Sequence, residues 1–165
     1  MCIRDRLSLA EVQVHACNAT LTGEKTIEIW DPTSAGLYAL PGNDVIYTIT
    51  SANTGAGPAD ANSIVLIDAM PSEVEFYNGD IDDGGPETTP IAFSTTGGAG
   101  LTLSYPSDIG FSNSATKPTS FSGCSYVPGA GYDPDVTYIC FNPKGAMAAG
   151  DPDPTFSVSF RARIK

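Results

Sequence analysis

Residues Asn78-Gly79-Asp80-Ile81-Asp82-Asp83-Gly84 place oxygen-bearing side chains at alternate positions. Calcium takes about six to eight oxygen ligands, and an EF-type loop supplies them from its first, third and fifth positions. Asn78, Asp80 and Asp82 satisfy that spacing and are the candidate calcium ligands. Asp83 stands where the sharp-turn glycine belongs, and Thr89 where the bidentate glutamate belongs. A solvated acidic loop is therefore the competing reading.

Other chemistry has fewer supports. His15 is the only histidine and lies in the segment read as a leader, so a Ser-His-Asp triad has no credible base. Nothing in the spacing of the carboxylates places two of them across a cleft as glycoside hydrolysis needs. No catalytic residue is assigned, and a non-enzyme is expected. Trp30, Tyr38, Tyr77, Tyr105 and Tyr132 could in part form a carbohydrate platform, or pack in the core. Arg161, Arg163 and Lys165 gather three of the eight basic residues at one end. They read either as charges that keep an edge strand from pairing, or as a patch for the acidic face of a neighbouring copy, in an assembly that salt would weaken.

The four cysteines divide into Cys2 and Cys17 near the start and Cys124 and Cys140 within the chain. Strand-like residues flank a turn cluster, Pro128-Gly-Ala-Gly-Tyr-Asp-Pro-Asp135. A hairpin centred on Tyr132 would set Cys124 opposite Cys140 and Tyr126 opposite Tyr138, close enough for a disulfide. Such a loop closure contributes about 3 kcal/mol and belongs to an oxidising compartment. Two buried free thiols are the alternative. Two cysteines and one histidine make no recognisable zinc spacing.

The elements that must position these groups read as short strands. Residues 44–52 alternate, with Val45, Tyr47 and Ile49 on one face. Residues 155–164 alternate most clearly: Phe156, Val158, Phe160, Ala162 and Ile164 against Ser157, Ser159, Arg161 and Arg163. That period implies one buried and one wet face. Further strands are expected at 25–30, 36–40, 63–68, 73–77, 90–93 and 101–105, besides the two of the cysteine hairpin. No helix is expected, since Gly57 and Pro58 break the alanine-bearing stretch at 56–62. Asp151-Pro-Asp-Pro154 reads as a stiff turn. About nine short strands imply an all-β antiparallel sandwich, with a barrel as the alternative.

At 165 residues, with 17 glycines and 13 prolines, the chain suits one turn-rich domain. The formal net charge is −11, and between Cys17 and Phe160 only Lys25, Lys117 and Lys144 are basic. Such a surface repels nucleic-acid backbones and anionic membrane surfaces. No apolar run is long enough to span a membrane, so membrane insertion is not expected. Residues 1–23 are expected to be a disordered or artefactual leader, with an export signal lost upstream, and 24–165 the domain. Val14-His15-Ala16-Cys17 has a faint likeness to a lipoprotein cleavage box.

Residues 41–71 carry a recognisable segment. Pro41-Gly42 turns into the strand with Tyr47-Thr48-Ile49, Asn53-Thr54-Gly55 ends it, Ile64-Val65-Leu66 begins the next, and Asp68 with Met70-Pro71 closes that one. This order resembles the domain of unknown function 11 family, repeat domains of bacterial and archaeal surface proteins. The resemblance implies an immunoglobulin-like sandwich, secretion, and a stalk, wall or adhesin role without catalytic residues. In physical terms, Gly55 is expected to supply a positive φ, Asn53 to bond its own backbone two residues on, and Asp68 to accept backbone N–H groups. The chain departs from the family after residue 78. The function expected is a non-catalytic structural module of a secreted or cell-surface protein, or a subunit of an extracellular filament, whose partners are other copies or other surface proteins. The alternative is a ligand-binding adhesin that uses the loops after residue 78 with calcium.

Overall fold

Strict alternation at the end of the chain organises the whole molecule. In a computed structural model, which describes residues 18–32, 36 and 38–165, nine strands form. They are β1 (Leu21–Ile29), β2 (Asp44–Asn53), β3 (Leu66–Ala69), β4 (Val74–Asn78), β5 (Ile91–Thr96), β6 (Ile109–Ser112), β7 (Gly131–Asp133), β8 (Tyr138–Phe141) and β9 (Thr155–Ile164). Every pairing is antiparallel.

β9 is the centre of the larger sheet. β2 runs along one of its edges, from Asp44 opposite Arg163 to Ala52 opposite Thr155. β4 and β5 share the other edge end to end. β1 flanks β2, and β7 flanks β4. The smaller sheet has the order β3-β8-β6. The inward residues of both sheets meet in one core, with Phe76, Phe156 and Phe160 from the larger and Ile139 and Phe141 from the smaller, all fully buried. Phe76 and Phe111 join the layers directly, their ring centroids 5.0 Å apart. Each such side chain contributes about 1.5–3 kcal/mol on burial. The fold is an all-β sandwich, as the alternation implies.

Several local expectations change. β9 is the most internal strand, so Arg161 and Arg163 guard no edge. The larger sheet ends at β1 on one side and at β7 on the other, and β1 is exposed along nearly its whole length. β1 carries an inward-pointing charge: Lys25 Nζ bonds Asp68 Oδ2 of β3 at 2.7 Å and lies 4.6 Å from the Tyr47 ring centroid. An inward charge on an edge discourages pairing with other chains. β1 begins at Leu21, three residues inside the segment read as leader. Residues 101–105 form only the isolated bridge between Thr102 and Lys144, and 63–68 becomes a strand only from Leu66. The described part of 36–40 forms none.

The cysteine hairpin does not form, although the disulfide does. Cys124 and Cys140 are bonded, both buried, with Cα atoms 6.3 Å apart. β6 lies between them: Gly110 is opposite Cys140, and Phe111 bridges Tyr126 on the other side. The disulfide therefore crosses over Gly110. A Cβ there would come 2.5 Å from the Cys124 carbonyl oxygen and 2.9 Å from its Cβ, so only glycine fits. The expected partner strand instead contains a short 3-10 turn, Phe121–Gly123. Residues 131–133 cross to the larger sheet as β7.

The family-like segment keeps part of its expected chemistry. Asn53 is fully buried and its amide is saturated, accepting from Thr20 and Gly55 N–H and donating to the Gly57 and Ala148 carbonyls. Gly55 has no positive φ. It is needed because the backbone of residues 18–20 passes where a Cβ would be. Asp68 takes the Lys25 ammonium, and no backbone N–H among the described residues bonds to it.

Candidate functional site

Period 2 and the β2–β9 register bring together residues that are far apart in sequence. The outer face of the larger sheet carries Asp44 from β2, Arg161 and Arg163 from β9, Tyr77 from β4 and Tyr132 from β7. Trp30 extends β1 onto the same face, its N–H bonded to the Asp44 carbonyl at 2.9 Å.

The Asp44 carboxylate holds the cluster. Its Oδ2 accepts Arg161 Nε at 2.6 Å, Arg161 Nη2 at 2.5 Å and the Tyr132 hydroxyl at 2.7 Å. Its Oδ1 accepts Arg163 Nε at 3.1 Å. The Tyr132 oxygen in turn accepts Arg163 Nη2 at 2.5 Å. The Arg161 guanidinium carbon lies 4.9 Å from the Trp30 ring centroid and 4.5 Å from that of Tyr77. Arg163 stands 3.5 Å from the centre of the Tyr132 ring, which packs at 4.9 Å on Tyr77. A guanidinium over an aromatic face is held by the ring quadrupole, most strongly when desolvated.

Burial divides the two arginines. Arg161 is 8% exposed and Asp44 6%, whereas the Arg163 side chain is 37% exposed. Arg161 Nη1 is buried and has no hydrogen-bond partner among the described residues. Burial, the hydrogen bond to Asp44 and its negative charge push the Tyr132 phenol up to about 12, against a smaller opposing pull from the two arginines. Arg161 and Arg163 are thus engaged within their own chain by Asp44 and Tyr132.

The other candidate residues are placed as follows. Asp80 and Asp82 share one loop and turn their oxygens onto its backbone. Asp80 accepts from Asp82 and Gly84 N–H, and Asp82 from Gly85 and Glu87 N–H. Partial burial works to raise the Asp80 carboxyl, but hydrogen bonding with the Asp82 side chain and with the Gly84, Asp82 and Asp83 backbone outweighs it and holds the group below the usual carboxylate range. Asn78 points elsewhere, donating to the Pro128 and Gly129 carbonyls and accepting the Tyr105 hydroxyl. Among the described residues no three acidic, histidine or cysteine side chains are grouped to hold a metal. Tyr38 is 76% exposed. His15, Cys2 and Cys17 lie outside the described residues. An open depression of 590 Å³ near Asn18, Leu21, Pro58 and Val65 adjoins none of these groups.

Sequence reasoning found the members of the aromatic cluster but not the cluster. The signal was an aspartate beginning an apolar alternation, since strands are poor in Asp. Comparison with family models, with curated proteins and with solved structures gave no match.

Proposed function

We propose that the chain is a non-catalytic structural module of a secreted or cell-surface protein, suited to a stalk or an extracellular filament. The observation that carries this reading is the buried Cys124–Cys140 disulfide in an all-β sandwich, because such bonds persist in oxidising compartments. The segment at 41–71, which resembles the surface-protein repeat family, supports it. No described helix is long and apolar enough to cross a membrane.

Association between copies is the part of this reading that salt can test. Each copy carries a net charge of −11 and its two sheet-bound arginines are already paired, so contact between copies is opposed by repulsion. Light scattering on the oxidised protein is expected to show association that strengthens as salt rises. A monomer at every ionic strength and concentration would overturn the filament form of the proposal.

A further inference from the structure

We propose that the chain joins Asn142 to Lys144 through a side-chain isopeptide bond, with Asp108 carrying the protons. The two residues follow β8, two positions apart, so their side chains share one face of an extended segment. Pro143 lies between them and is fully buried. Thr102 and Lys144 bridge through both backbone hydrogen bonds, at 2.9 and 2.8 Å. The Asn142 N–H donates to the Asp108 carbonyl at 2.9 Å. The backbone under all three groups is thus fixed.

The side chains meet on that frame. Lys144 Nζ donates to Asn142 Oδ1, one bond from the amide carbon Cγ. Asp108 Oδ1 lies 3.8 Å from the same nitrogen. An ion pair alone would seat the ammonium on the carboxylate; here it sits on the neutral amide. Nδ2 of that amide donates to the Ile64 carbonyl at 2.6 Å and to the Asn62 carbonyl at 3.4 Å, which fixes its orientation. Asp108 is 6% exposed and Asn142 9%, and the Phe121 ring centroid stands 5.8 Å from Nζ. A nucleophile, an acyl carbon and a buried base held together react as if highly concentrated.

The step balances without a co-reactant. Asp108 takes a proton from the Lys144 ammonium, and rotation of the flexible lysine stem brings the amine over Cγ. The Nζ–Cγ bond forms and the Cγ–Nδ2 bond breaks. Two protons in turn pass from Nζ by way of Asp108 to Nδ2, which leaves as ammonium. The third stays on the new amide, and Asp108 ends as the carboxylate. The Lys144 side chain is 39% exposed, which gives the ammonium a way out. Pro143 has no N–H, so the cyclic imide through which asparagine ordinarily loses ammonia cannot close at Asn142. The chain acts once, on itself, so this chemistry goes beyond the structural-module reading and does not rest on it.

The experiment is mass spectrometry of the folded full chain, held at neutral pH and then denatured and reduced. The expected mass is lower than that of the sequence by one molecule of ammonia. A lysine-specific protease is expected to leave Lys144 uncut, and fragmentation to yield no break between Asn142 and Lys144. The same map separates an ammonia loss at Asn78-Gly79, where a cyclic imide can close. Lys144→Arg is expected to keep the full mass, and Asp108→Asn to leave most of the chain unlinked. Circular dichroism identifies a variant that fails to fold; if Asp108→Asn does, the natural chain and Lys144→Arg decide. Cleavage after Lys144 with Asn142 unchanged would overturn the proposal. So would a folded Asp108→Asn chain that links as fully as the natural one.

Discussion

Asp44→Asn removes the one carboxylate that two guanidiniums share. Arg161 is 8% exposed and would keep a buried charge with no counter-ion, a loss of about 3–5 kcal/mol. Arg163 is 37% exposed, so solvent screens its share and Arg163→Ala costs less than about 1 kcal/mol. For a domain of this length the Asp44→Asn loss corresponds to a fall in Tm of roughly 6–20 °C. Asp44→Asn combined with Arg161→Met should be more stable than Asp44→Asn alone, because the orphaned charge leaves with its partner. The assay is urea unfolding followed by Trp30 emission within the cluster and by far-ultraviolet circular dichroism for the whole sheet. Coincident transitions license the comparison. A loss below about 1 kcal/mol for Asp44→Asn, or a double variant less stable than the single one, would refute the view that Asp44 holds a buried cation.

Gly110→Ala places a methyl group 2.5 Å from the Cys124 carbonyl and is expected to cost about 1–3 kcal/mol, read by thermal melting; an unchanged Tm would contradict the crossing of the disulfide over this residue. The Tyr132 phenol is raised from 10.0 to about 12, so the folded state holds its proton more tightly than the unfolded chain. Its contribution is complete below pH 10.0 and is lost as pH rises toward 12, and Tyr132→Phe should flatten the stability profile in that window. Millimolar calcium is expected to leave Tm unchanged, because Asp80 and Asp82 bond their own loop and Asn78 faces the 128–129 turn. A rise of several degrees would restore Asn78, Asp80 and Asp82 as calcium ligands.

The legible parts of the fold are those where one physical signal acts alone. The expected strand 155–164 is β9 residue for residue, and 44–52 differs from β2 only by the addition of Asn53. Both alternate because one face is buried and the other is not. β6 escaped notice because Gly110 interrupts four residues, and that glycine answers to the disulfide rather than to strand propensity. β7 is concealed in a cluster of turn residues, where the Asp133 carboxylate accepts the Gly129 N–H. The cysteine pair was legible as a bond but not as a geometry, because sequence does not reveal a strand threaded between its ends. The same limit hid the arginine cluster. The outward face of β9 looked wet, yet Arg161 is buried there by rings from β4 and from the end of β1.

The β-sandwich is proposed to rely on its Cys124–Cys140 disulfide, kept oxidised outside the cell. The most direct measurement compares thermal melts of the chain with Cys124–Cys140 intact and reduced, with peptide mapping to assign the bond. Closure over a sequence separation of 16 predicts a loss of about 3 kcal/mol on reduction, and hence a fall in Tm of roughly 6–12 °C. Equal melting temperatures, or free thiols at both positions in protein exported to an oxidising compartment, would contradict it.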